Sequence, residues 1–188
     1  MGNVAEVQRS LVTDVGPLAA VSLSDLVKAF ATKRVSVPLT SLMETDGTNT
    51  VAFLGPATTP VLDLANGDTD GALDVVWASS NSDAVVFQVA IPDIDANEDL
   101  KIFLRVKGGA TDTETIASDV YFNEGDTKVE DVSAAVSAAV QELSITVAAS
   151  DIPAGAKTFS CELTPGAHTN DALTLTAVWI QYTQVLKI

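Results

Sequence analysis

Residues 100–107 read Leu-Lys-Ile-Phe-Leu-Arg-Val-Lys. Leu100, Ile102, Leu104 and Val106 fall on one side of an extended chain, opposite Lys101, Arg105 and Lys107, and Gly108-Gly109 closes the run. Successive side chains of a strand point to opposite faces, so this is the pattern of a half-buried strand. The same period recurs on both sides of it. Val85, Phe87, Val89 and Ile91 share a face before Pro92. Val120 and Phe122 follow, ended by Glu124-Gly125-Asp126. Leu143, Ile145, Val147 and Ala149 alternate with Ser144, Thr146 and Ala148, and Phe159, Cys161 and Leu163 alternate with Thr158, Ser160 and Glu162. Short alternating runs punctuated by turn residues predict an all-β chain folded as an antiparallel β-sandwich.

The ends of this pattern are less regular. Val35–Met43 reads as a first strand, placed at a sheet edge by Pro38. Asp46-Gly47 and Asn66-Gly67 are turn dipeptides. Residues 129–140 admit two readings: Val132, Val136 and Val140 fit a helix, while the sandwich context favours a strand starting near Lys128–Val132 with irregular structure after it. The last strand, from Leu173 to Leu186, puts Leu173, Leu175, Ala177 and Trp179 on one face. On its other face, Thr174 and Thr176 give way to Val178, Ile180 and Tyr182. A strand apolar on both sides implies an outer face covered by the N-terminal segment or by another subunit, and Val178, Ile180 and Tyr182 are the residues expected to pack against a neighbouring subunit. Ahead of the sandwich, Ser22-Leu23-Ser24-Asp25 has capping-box form and precedes Leu26, Val27 and Phe30 on one helical face. A helix is expected near residues 23–33. The chain then divides into an N-terminal arm with a short helical or extended segment, residues 1–36, and a sandwich, residues 37–188.

Charge narrows the partners. The 188 residues carry a formal net charge of −15. Residues 1–34 are net +1 and the remainder net −16, and no Lys or Arg occurs from Val35 to Leu100. Duplex nucleic acid and anionic membranes both require clustered cations, so neither is an expected partner. No apolar run reaches membrane-spanning length. A single cysteine, Cys161, excludes an internal disulfide framework. The opening Met-Gly-Asn-Val-Ala-Glu lacks a positive region followed by an apolar one, so folding in a reducing cytoplasm is expected.

Chemistry-bearing residues are sparse. Asp93, Asp95, Asn97 and Asp99 have the alternate spacing of a calcium loop, but Glu98 stands where an EF-hand needs Gly and Leu104 where it needs Glu. The ordinary reading is a solvated acidic turn, and no metal or cofactor is expected. The one histidine, His168, lies in a loop between strands, and Cys161 faces inward, so no nucleophile–base pair with a positioning third group can be assembled. Aromatics make up only 5% of the chain. Trp77 and Trp179 read as core, while Tyr121 or Tyr182 could stack on a sugar from an exposed face.

Five segments carry a resemblance. They are Trp77-Ala78-Ser79-Ser80-Asn81, Glu124-Gly125-Asp126-Thr127, Ser150-Asp151-Ile152-Pro153-Ala154-Gly155-Ala156, Glu162-Leu163-Thr164-Pro165-Gly166-Ala167-His168 and Trp179-Ile180-Gln181-Tyr182. In this order, over about residues 76–188, the chain resembles small structural proteins of tailed bacteriophages. The resemblance implies a jelly-roll-like sandwich, assembled as a homotrimer on the virion. There it would act as a non-enzymatic capsid decoration or cement protein bound to the major capsid protein. Leu26, Val27 and Phe30 are then the expected capsid-docking residues. The alternative expectation is a receptor- or glycan-binding module of a head fibre or knob. A polysaccharide-degrading accessory domain stands third.

Overall fold

The computed structural model describes residues 31–45, 51–55, 58–64, 72–110, 114–122, 130–166 and 168–185. Twelve strands are found there: β1 (Thr32–Val37), β2 (Met43–Thr45), β3 (Val51–Phe53), β4 (Val61–Leu64), β5 (Leu73–Trp77), β6 (Ala84–Ala90), β7 (Leu100–Lys107), β8 (Glu114–Tyr121), β9 (Glu130–Val136), β10 (Gln141–Val147), β11 (Thr158–Pro165) and β12 (Leu173–Thr183). They form two antiparallel sheets. Sheet A runs β10-β7-β12-β5-β4, with β1 also paired to β12, and sheet B runs β3-β2-β6-β11-β8-β9. From β6 to β8 each strand lies in the opposite sheet from its predecessor, and β10, β11 and β12 do the same. The chain therefore crosses repeatedly between the layers, and its alternating apolar faces meet in one core. This is the antiparallel sandwich that the period-2 pattern predicts.

The core is built on Trp77, Phe87, Phe122 and Phe159, each under 2% exposed. Phe159 packs edge-on to Phe87 with ring centroids 6.1 Å apart, and lies 6.2 Å from Phe122. Trp77 satisfies its indole N–H on the carbonyl of Asp83 at 2.8 Å, the bond a buried indole needs. At the crossing from β7 to β8, the fully buried Glu114 carboxylate accepts from the Gly109 N–H at 2.7 and 3.0 Å. A side chain at Gly108 would run into that carboxylate, so glycine just after β7 leaves room for it.

Four expectations are corrected. Pro38 does not sit at the edge of one long strand. It ends β1 in sheet A, and a 3-10 turn over Leu39–Ser41 leads to β2 in sheet B. Proline lacks the N–H that a continued ladder would require, so the chain changes sheets at this point. The helix expected near 23–33 falls mostly outside the described residues; Ala31 is helical, and the chain is extended from Thr32. Residues 32–36 thus belong to the sandwich, and a boundary after residue 36 cuts through β1. In the 129–140 region the strand runs on to Val136. The fourth correction concerns β12, and it has the largest consequences.

β12 pairs with β7 through Leu175↔Val106 and then Ala177↔Arg105, so one residue, Thr176, is extra. This β-bulge advances the alternation by one. Leu173 and Leu175 point inward before it, and Val178, Ile180 and Tyr182 point inward after it, at 0%, 0%, 1%, 0% and 4% exposure. Trp179, placed with Leu173 and Leu175 by simple alternation, is turned out instead. The Thr176 hydroxyl donates to the Arg105 carbonyl at 3.2 Å and occupies the interrupted ladder. The strand is therefore not apolar on both faces. Val178, Ile180 and Tyr182 are core residues of their own chain and are not available to pack a neighbouring subunit.

Two outcomes follow from this core. Ile180→Ala should lower unfolding stability by about 2–5 kcal/mol, the range for a buried aliphatic truncation. Its thermal midpoint should not depend on protein concentration, whereas a subunit contact would make the midpoint rise with concentration. Cys161 is fully buried, and burial, reinforced by Asp119 and Glu162, pushes its thiol well above the ordinary value of 9.0. The unfolded thiol ionises first, so this stabilising effect is intact below the ordinary thiol value and is lost as pH rises above it, at about 1.4 kcal/mol per unit. Denaturant midpoints measured from about pH 8 to about pH 10 should fall, and Cys161→Ala should flatten that slope. An equal slope in the variant would contradict the assignment.

Candidate functional site

Residues directly opposite on antiparallel neighbours share a face, so the registers lay out the outer surface of sheet A row by row. One row is Arg34, Gln181, Lys101 and Thr146. The next is Ser36, Trp179, Phe103 and Ser144. The third is Ala177, Arg105 and Glu142, and the fourth is Val76, Thr174 and Lys107. Phe103 reaches this face because it alternates with the inward Ile102 and Leu104, and Trp179 because the bulge places it there.

The two rings form the centre of the face. Phe103 and Trp179 are half-buried and stacked, with centroids 5.5 Å apart and planes 8° from parallel. Arg34 reaches over from β1, its guanidinium carbon 5.3 Å from the Phe103 centroid, within cation–π range. The Arg34 Nε–H donates to Gln181 Oε1 at 3.1 Å, which holds the guanidinium plane in place. The Trp179 indole N–H is shielded from solvent yet has no acceptor. An unpaired donor of this kind costs about 1–3 kcal/mol, and such groups are few in folded proteins.

Cations gather on one face. Arg34, Lys101, Arg105 and Lys107 all stand on the outer face of sheet A, in a chain of net charge −15. Glu142 lies opposite Arg105. Near Lys107, Asp74 is held above the ordinary carboxylate range, chiefly by burial and then by Asp63 across the pair β4–β5, with Lys107 opposing. It therefore keeps its proton to higher pH than a free aspartate does. On the outer face of sheet B, the opposed pair Asp119 and Glu162 carries the reverse sign.

The residues singled out from the sequence are placed differently. Leu26, Val27 and Phe30 lie outside the described residues. Asp95 accepts from the Asn97 backbone and side-chain nitrogens at 3.0 and 2.9 Å, and Asp99 accepts from the Ala149 N–H at 3.0 Å. These carboxylates close a turn at the end of sheet A. Among the described residues no three His, Cys, Asp or Glu side chains converge as a metal site. His168 is 2% exposed, with Nδ1 2.7 Å from the Gly166 carbonyl and Nε2 3.0 Å from the Ala78 carbonyl. It ties two end loops together beside a pocket of about 250 Å³ lined by Ser80, Asn81 and Gly166. Of the two tyrosines, Tyr182 is core and Tyr121 is half-buried on the outer face of sheet B.

The sequence reading passed over Phe103, Trp179 and Arg34. A signal for Phe103 was present, as the one aromatic on the charged side of an alternating strand. Trp179 carried none, because a bulge is invisible to strict alternation.

No protein-family model and no curated protein matches the chain. Solved structures do. The chain is similar to the xylan-binding module CBM15 at 14% identity and a TM-score of 0.56, over 82% of this chain and 99% of that one. It is also similar to part of xylanase 10C from Cellvibrio japonicus, solved in complex with xylopentaose. That match has 14% identity and a TM-score of 0.50, over 81% of this chain and 29% of that one. These likenesses establish the fold as a jelly-roll β-sandwich.

Proposed function

We propose that this chain is a non-catalytic glycan-binding module that holds its ligand on the outer face of sheet A. The observation that carries the reading is the stacked pair Phe103 and Trp179, set on a sheet surface in a chain with few aromatics to spare. A pyranose ring presents an apolar C–H face and a rim of hydroxyls. Aromatic rings match the first, and Ser36, Gln181, Ser144 and the unspent Trp179 indole N–H match the second. The indole N–H is occluded, so a small rotation of the ring accompanies its use. The fold adds support: the xylan-binding module is matched over nearly its whole length, and the much longer xylanase over 29% of it, as an appended module would be.

The capsid-decoration reading rests on less. Its interface residues are in the core, and its docking residues lie outside the described segments. The aromatic pair on the outer face of sheet A supports the glycan alternative.

The test uses the two tryptophans of the chain. Trp77 is fully buried and Trp179 is not, so a bound glycan should perturb Trp179 emission alone. Polysaccharides are screened by affinity electrophoresis, and a retained one is titrated by fluorescence. Trp179→Phe should abolish the spectral change while the Trp77 signal remains. Trp179→Ala should weaken binding about tenfold or more, the scale of one lost stacking contact. Undiminished binding by Trp179→Ala would remove the site.

A further inference from the structure

We infer that the glycan recognised on this face is acidic, carrying uronate carboxylates, and that Arg34 and Lys101 are the residues that read them. The inference rests on the proposed glycan site and goes beyond it in naming the ligand class. A chain of net charge −15 repels polyanions at long range, so cations gathered on one face need a local reason. Three of them, Lys101, Arg105 and Lys107, alternate along β7, and Arg34 reaches the same aromatic pair from β1.

The cations are not equally available. Arg105 stands opposite Glu142 on β10, and Lys107 lies near Asp74, so each of these two has an acid of the protein beside it. Arg34 and Lys101 share a row with Gln181 and Thr146, which are neutral. In the turn at 93–99 that leads into β7, Asp95 and Asp99 are engaged by backbone and amide donors.

Arg34 has the geometry of a carboxylate reader. Its Nε–H is fixed on Gln181 and its guanidinium carbon lies 5.3 Å from the Phe103 centroid, so the edge formed by the two terminal nitrogens is the fork left for a ligand. A planar fork held in this way suits a carboxylate, whose two oxygens accept paired N–H bonds. A sugar ring seated on Phe103 and Trp179 brings the carboxylate at its rim within reach of Arg34 on one side and Lys101 on the other. Neutral rings in the same chain would use the aromatic pair alone. Selectivity then comes from charge placed beside a stacking platform, while the acidic remainder of the surface rejects polyanions that cannot stack.

The experiment compares polygalacturonate and alginate with their carboxyl-reduced, neutral counterparts and with a sulfated galactan, by affinity electrophoresis and calorimetry at two salt concentrations. The uronates should bind, and their affinity should fall as salt rises. The reduced polymers should bind at least about tenfold more weakly, the equivalent of about 1.4 kcal/mol. Lys101→Gln and Arg34→Gln should each cost about three- to tenfold toward the uronate and little toward a neutral glycan. Lys157→Gln, on an exposed residue away from this face, should change nothing. Arg34→Lys keeps the charge without the fork and should recover only part of the loss. Equal binding of reduced and native polymers overturns the inference and leaves the glycan site standing. Binding of the sulfated polymer alone overturns the carboxylate assignment. If no polysaccharide of either kind binds, the site itself fails.

Discussion

The extra residue in β12 is the constraint on which the rest of this structure depends. Without Thr176 out of register, strict alternation would drive Trp179 into the core and turn Val178, Ile180 and Tyr182 toward solvent. With it, five apolar side chains of one strand all reach the core despite a change of phase, and one large aromatic is sent to the surface. The energetics favour this choice strongly. Each of the aliphatics brought inside contributes on the order of 1.5–3 kcal/mol of apolar burial, against one broken ladder position. The Thr176 hydroxyl on the Arg105 carbonyl recovers part of that break. β12 is also the strand with most neighbours in sheet A, paired with β7 on one side and with β5 and then β1 on the other. Its phase therefore sets what the whole outer face displays.

Once Trp179 is outside, the neighbouring strands complete the surface. β7 brings Phe103 opposite it, and β1 brings Arg34 across the pair. These three groups come from residues 34, 103 and 179, far apart in sequence, and only the antiparallel registers bring them together. The end loops, by contrast, hold the features that first attract attention in such a chain, the lone histidine and the run of aspartates. Both are occupied with local hydrogen bonds that close loops.

Much of the architecture was legible in the sequence because a half-buried strand advertises itself. The alternation in 84–90, 100–107, 141–147 and 158–165 marked strands that the fold contains, and the sandwich followed from their number and spacing. What was not legible has specific causes. Pro38 signals a break but not which sheet the chain enters next, so β1 and β2 read as one strand and Arg34 was assigned to an arm. The bulge at Thr176 leaves no compositional mark, so the last strand looked apolar on both faces and suggested a subunit interface that the core absorbs. The candidate site was hidden for the same reason. Its central pair is formed by a phase shift in one strand and a single aromatic among the cations of another.

The central claim is that the outer face of sheet A is the working surface of the molecule. It is tested most directly by mapping amide chemical shifts as a retained oligosaccharide is added to the folded chain. The account predicts perturbations centred on Ser36, Phe103, Ser144, Trp179 and Gln181, with Asp119 and Glu162 on the outer face of sheet B unmoved. Perturbations concentrated instead around Asn81, Gly166 and His168 at the end of the sandwich, or on sheet B, would contradict it.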